Sequence, residues 1–295
     1  GHLCRLSCKK NLMKIYISTT AEKSNNISEI IEILASNGVI NIELTGGTKF
    51  SNFDLKSILE LKAKYNLNYL CHNYFPPPKD DFIINLGSLN NEIFDKSIEH
   101  VKTAIMLSNT LESDKFACHS GFFIDFSLNE IGNKILNQKI INIKESIRLF
   151  KEAQLYLNSF SEEKGVKLYF ENNVISHFNF KNFNKVNPFM FTDNNNIDDV
   201  ILKASNILVD FAHLKVSCNT LNLNFTENLM DLANKTDYWH ISDNDGFSDT
   251  NDLLKDNSEM MTEIKKLDKS NLTITIEVKG GIENAIKSSN ALNEI

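Results

Sequence analysis

The chain has 295 residues, 42% of them hydrophobic and 23% charged, the balance of an ordinary globular protein able to bury a large core. That length suits two common domains or one α/β barrel, which takes roughly 250 residues. A formal charge of −7 argues against a nucleic-acid partner, which asks for a basic footprint, and no apolar run is long enough to suggest a membrane partner.

Five cysteines fall in no paired spacing, so neither a disulfide framework nor a zinc ribbon is expected, and a reducing, cytoplasmic setting fits best. Residues 1–12, GHLCRLSCKKNL, lack the apolar centre of a secretory signal. They read as a leader or expression-derived segment ahead of a single domain over 13–295.

From Met13 a strand begins at once. Strand candidates in chain order are KIYIS (14–18), INIEL (40–44), LNYLCHN (67–73), FACHS (116–120), KLYFEN (167–172), ILVDFAH (207–213), YWHIS (238–242) and LTITIEV (272–278). Between them lie stripes at helical spacing: Ile27, Ile30, Ile31 and Leu34; then Phe94, Ile98, Val101 and Ile105; then Ile140, Ile143, Ile147 and Phe150. Eight strands alternating with helices give the count of a closed (β/α)8 TIM barrel in the α/β class. An open doubly wound sheet would carry a glycine-rich loop after its first strand, and YISTTAEKSNN has no glycine. The longest connections are expected after the third and fifth strands. The second of these, residues 174–196, reads equally as a lid over the catalytic face or as an Asn-rich insertion.

His72, His119, Glu171, Asp210, His213, His240 and Glu277 fall at or just past the C-terminal ends of strands three to eight. A barrel gathers those ends into one rim, where its chemistry is done. Strand ends make up about a seventh of the chain, so chance would put roughly one histidine in seven there; four are there. Glu277 in particular ends an apolar strand, and an unpaired buried carboxylate costs several kcal/mol, so it needs a partner. Glu171, Asp210, His240 and Glu277 converging at one point make a metal site. Three oxygen donors and one nitrogen suit a divalent ion such as Mn2+, Mg2+, Co2+ or Zn2+ without choosing among them. Cys71 and Cys118 precede His72 and His119, so by strand alternation they point away into the packing. At the rim, Glu43 could bond a ligand hydroxyl and Lys215 and Lys279 could meet a phosphate. Asn73, Asn172 and Asp243 stand beside proposed site residues and could orient them. Trp239 reads as packing.

CHN at 71–73, CHSG at 118–121, FEN at 170–172, DFAH at 210–213, HISDNDG at 240–246 and IEV at 276–278 together resemble the xylose isomerase-like superfamily of TIM barrels. That superfamily includes sugar and sugar-phosphate isomerases and epimerases and also endonuclease IV. In its epimerase branch, the resemblance implies one divalent ion held by Glu171, Asp210, His240 and Glu277. Glu171 and Glu277 would be the acid/base pair that moves a proton through an enediolate, with His213 on the substrate oxygens. The implied partner is a small sugar, phosphorylated or not; barrels of this type are often dimers or tetramers, which makes a homo-oligomer one expected assembly. In the endonuclease branch His72 and His119 would join Glu171 at a second metal. That branch's third metal needs an Asp-x-His motif after strand seven; Asp249 stands in place, but Asn251 replaces the histidine. The resulting expectation is an isomerase or epimerase, with a phosphodiester hydrolase or a sugar dehydratase as alternatives.

Overall fold

The structure is a computed structural model that describes residues 13–136 and 138–295. The leader expected over residues 1–12 lies outside them. Eight strands close a parallel barrel in sequence order: β1 (Lys14–Ser18), β2 (Asn41–Leu44), β3 (Asn68–His72), β4 (Lys115–His119), β5 (Lys167–Glu171), β6 (Asn206–Asp210), β7 (Tyr238–Ile241) and β8 (Thr273–Ile276), with β8 pairing back onto β1. The expected (β/α)8 TIM barrel is the fold observed.

Strand alternation sorts the side chains into two environments. Ile42, Leu44, Cys71, Cys118, Phe170, Val209, Trp239 and Ile274 face outward and join the main core with the surrounding helices. Tyr16, Leu70, Ala117, Tyr169, Leu208 and Tyr238 face inward and fill the barrel as a separate cluster. Two residues further along the same strands, on the same face, come His72, His119, Glu171, Asp210 and His240.

The helices are α1 (Ile27–Ser36), α2 (Leu55–Tyr65), α3 (Asn91–Thr110), α4 (Ile143–Glu163), α5 (His177–Asn182), α6 (Ile197–Val200), α7 (Phe211–Leu221), α8 (Phe225–Ala233), α9 (Glu259–Lys265) and α10 (Ile282–Asn293). In α1, Ile27, Ile30, Ile31 and Leu34 are all buried, as their spacing predicts. Its first turn is capped by Asn26, whose Oδ1 accepts from Ser28 N at 3.0 Å. Asn90, Asn142 and Asn224 cap α3, α4 and α8 in the same way.

Three expectations need correction. The run 207–213 is not one strand: β6 ends at Asp210 and α7 starts at Phe211. Asp210 caps that helix, its Oδ1 accepting from His213 N at 2.8 Å, so His213 stands on the first helical turn. Ile140 lies outside its expected helix; α4 begins at Ile143 because Asn142 supplies the cap. The connection after β4, residues 120–142, is also longer than the one after β3. Its apolar residues (Phe122, Ile124 and Ile135) serve a second core rather than a helix.

That second core sits above the barrel, where the connections after β3, β4 and β5 meet. Phe122, Ile124, Ile135, Ile175, Phe183 and Phe189 pack together, with Phe122 and Phe189 joined in an antiparallel bridge. Asparagines satisfy the irregular backbone: Asn173 Nδ2 donates to the carbonyls of Gly121 and Met190 at 3.1 and 2.8 Å. Gly87 is closely approached: a Cβ there would lie 2.5 Å from Met190 Cε and 2.8 Å from Ser146 Oγ, so both side chains would have to shift. The stretch 174–196 therefore carries α5 and contributes to this core.

Candidate metal centre

Glu171 ends β5 and is wholly buried. Its Oε2 lies 2.7 Å from His72 Nε2 at the end of β3 and 3.7 Å from His119 Nε2 at the end of β4. Its Oε1 lies 3.4 Å from His213 Nδ1 and 3.8 Å from His240 Nδ1. Across the barrel, Glu277 Oε2 stands 3.4 Å from the same His240 Nδ1. One donor atom from each of Glu171, Asp210, His240 and Glu277 can be chosen so that all four lie within 4.8 Å of one another.

Whether this set fits an ion can be judged from its unmet bonds. Glu171 Oε1, Asp210 Oδ2 and His240 Nδ1 are buried and have no hydrogen-bond partner among the described residues. Such atoms are rare in native interiors and costly, by about 1–3 kcal/mol each or more when charged. Here three of them belong to the four proposed ligands and face the same space. Their chemistry, hard oxygens with one imidazole, fits Mn2+, Mg2+, Co2+ or Zn2+.

The electrostatics agree. Burial works against charge on His240, yet the carboxylates of Glu43 and Glu277 outweigh it and hold its pKa well above the ordinary value. Burial pushes the Asp210 carboxyl up, aided by the negative charge of Glu171 and opposed by His213. Glu277 also loses solvation, but His240 and His72 more than offset that and bring it down. The cluster thus draws positive charge to its centre.

Asn172 holds two site residues at once. Its Oδ1 accepts from Asp210 N at 2.6 Å, its Nδ2 donates to Asp210 O at 3.0 Å, and its own carbonyl lies 2.9 Å from His213 Nδ1. Asn73, in a left-handed conformation after β3, accepts at Oδ1 from His119 N at 3.0 Å. Lys215 Nζ is engaged by Asp243 Oδ1 at 2.9 Å and Asn244 O at 2.7 Å, while Lys279 is exposed. His119, Glu171 and His213 form a second group with donor atoms within 4.8 Å, and Asp249 Oδ2 lies 3.3 Å from His213 Nε2.

Glu43 lies below the rim. It is fully buried and surrounded by Tyr238, Thr275 and His240. Sequence reasoning missed Tyr238, Thr275 and Thr45, whose hydroxyl lies 3.1 Å from His72 Nδ1. Alternation was the available signal: Thr275 shares a face with Glu277, and Tyr238 with His240.

With the geometry in place, the chain can be set beside known proteins. The fold is shared with a D-tagatose 3-epimerase-like protein at 19% identity, covering 96% of each chain with a TM-score of 0.71. An L-ribulose 3-epimerase is 14% identical over 95% of this chain and 86% of its own, with a TM-score of 0.63. The 3-keto-D-glucoside 4-epimerase of E. coli is 12% identical over 96% and 98%, with a TM-score of 0.60. No curated protein sequence matches the chain significantly. The family model described as xylose isomerase-like TIM barrel matches residues 31–294. The chain belongs to the xylose isomerase-like TIM barrel family.

Proposed function

We propose that the chain is a divalent-metal-dependent isomerase or epimerase of a sugar or sugar derivative. The observation that carries this reading is the convergence of Glu171, Asp210, His240 and Glu277 with three buried donor atoms unmet. The names of the fold's neighbours, epimerases of free or oxidised sugars, support the substrate class.

An ion bound by those four residues would polarise a carbonyl and its adjacent hydroxyl, which acidifies the C–H of the hydroxyl-bearing carbon. Glu171 and Glu277, on β5 and after β8, form the acid/base pair. One carboxylate removes the proton from carbon and the other returns it, by way of an enediolate. His213, fixed through Nδ1 by the Asn172 carbonyl, contacts the substrate oxygens. The full burial of Glu171, Asp210 and His240 strengthens each of these charge interactions.

The test is exchange of a substrate C–H with solvent deuterium across a panel of ketoses and keto-sugars, with Mn2+ or Co2+ added. The reading expects exchange by the wild type that disappears in Glu277→Gln while the fold is kept. An unchanged rate in that variant overturns the assignment.

A second reading, a two-metal phosphodiester hydrolase of the endonuclease IV type, is supported in part: His119 and Glu171 share a group with His213, whereas His72, the other residue expected at a second metal, meets Glu171 directly through Nε2 at 2.7 Å. His119 Nδ1 is another buried atom without a hydrogen-bond partner among the described residues. This reading expects more than one ion per chain and cleavage of abasic-site DNA. A sugar dehydratase using the same pair would instead yield a dehydrated product in the ketose panel.

A further inference from the structure

We infer that Glu43 is a positioning residue: it fixes the His240 ring so that Nδ1 is the nitrogen presented to the metal. The inference rests on the metal reading above. It assigns Glu43 a place beneath the site in preference to a contact with substrate.

The argument is one of hydrogen-bond accounting. Glu43 is at 0% exposure inside the barrel, in register with Leu70 of the apolar layer and with Ser18 of β1. Tyr238 and Thr275 both give their hydroxyl protons to Glu43 Oε2, the latter at 2.7 Å. His240 Nε2 stands 3.0 Å from Oε1 and 3.2 Å from Oε2. A bare nitrogen lone pair facing two carboxylate oxygens at that range would be repelled, so Nε2 carries a hydrogen and donates it. A histidine that ligates a cation is neutral and has only one N–H. With that hydrogen committed to Glu43, the lone pair is left on Nδ1, the atom that faces Glu171 and Glu277 and has no hydrogen-bond partner among the described residues. A carboxylate behind a ligating histidine fixes both the tautomer and the ring's orientation.

Glu43 also lies within reach of His72 and Glu277 as a possible ligand. Its Oε2 already accepts from two hydroxyls, and its Oε1, which has no hydrogen-bond partner by geometry among the described residues, stands 3.0 Å from His240 Nε2, so both oxygens are turned to the ring rather than to the space Glu171 and Asp210 share.

The experiment compares Zn2+ and Co2+ binding by wild type, Glu43→Gln, Glu43→Asp and Tyr238→Phe. Nitrogen NMR of the histidines is recorded on zinc-free and zinc-loaded chains. Glutamine can donate to Nε2 through its amide and so favour the opposite tautomer. Zn2+ affinity is expected to fall about 10- to 100-fold in Glu43→Gln, with a changed Co2+ visible spectrum. Glu43→Asp is expected to recover part of the affinity, and Tyr238→Phe to stay within a few-fold of wild type. Unchanged affinity and spectrum in Glu43→Gln overturn the inference, as does zinc on Nε2 in the wild type. Should Glu43→Gln fail to fold, the wild-type NMR decides alone. A wild type that binds no metal defeats the preceding reading instead. The zinc-free spectrum, recorded at a pH where the ring is neutral, then still decides this one: a hydrogen on Nε2 with Nδ1 bare supports it, and the opposite tautomer overturns it.

Discussion

Two layers fill the inside of this barrel, two residues apart on the same strands, and they do opposite things. The lower one, with Leu70, Ala117, Tyr169, Leu208 and Tyr238, is closely packed and mostly apolar. Tyr169 and Tyr238 meet edge to face at 5.3 Å, and the Tyr169 hydroxyl is bonded to Asp237 at 2.8 Å. The upper one, with His72, His119, Glu171, Asp210 and His240, is as buried except at the partly exposed His119, but leaves oxygens and nitrogens unmet among the described residues. One layer holds the barrel together, and the other is held in place by it, at a cost that a bound cation would offset. A site of this kind draws its rigidity from the strands and its instability from its own chemistry.

The comparison can be broken in several ways. The largest effect is expected from Glu277→Gln, which should reduce C–H exchange by on the order of 10²- to 10⁴-fold with little change in melting temperature. A comparable loss of stability in that variant would mean that the upper layer is also structural. In the lower layer, Leu208→Ala should cost about 2–5 kcal/mol in denaturant unfolding, because the side chain is fully buried between β5 and β7. A cost below about 1 kcal/mol would show that the barrel interior can collapse around the cavity.

Saturating metal, at about 100 times its Kd, should add about 2.7 kcal/mol of stability to the wild type. Asp210→Asn keeps the helix cap, since asparagine caps as well as aspartate, but removes a buried charge. Without metal, this variant is expected to be as stable as the wild type or more so. With metal, it should lose most of the added stability. Equal responses of the two chains would remove Asp210 from the ligand set.

The smallest effect concerns His100, outside both layers. Burial holds its pKa below the ordinary value, although its Nε2 bonds the Asn73 carbonyl at 2.8 Å. The unfolded chain therefore binds more protons here than the folded one. The stability is fully present above the unfolded pKa of about 6.5 and is lost as pH falls below it, by at most about 1.4 kcal/mol per pH unit. His100→Gln should flatten the fall in melting temperature between pH 7 and pH 5; an unchanged slope would count against it.

Much of the barrel could be read from the chain because each strand is short, β-branched or aromatic, and most end on a polar residue. KLYFE and NILVD show both features in five residues. Boundaries were harder where one residue serves two elements. Asp210 ends β6 and caps α7, and a run of apolar residues on either side of it has no period that marks the change. The surroundings of Glu43 were illegible for another reason. Thr275 is 232 positions away along the chain and meets Glu43 only because β8 and β2 both flank β1 in the closed barrel. The second core escaped notice because Phe122, Ile135 and Phe183 follow neither a helical nor a strand period. Their contact depends on three connections meeting above the rim.

The most direct test of the account is the metal content per chain, measured by elemental analysis on wild type and on Glu171→Ala after incubation with Mn2+ or Zn2+. The account predicts one divalent ion per wild-type chain and its loss in the variant. A wild-type chain that retains no ion, or a variant that retains as much as the wild type, would contradict it.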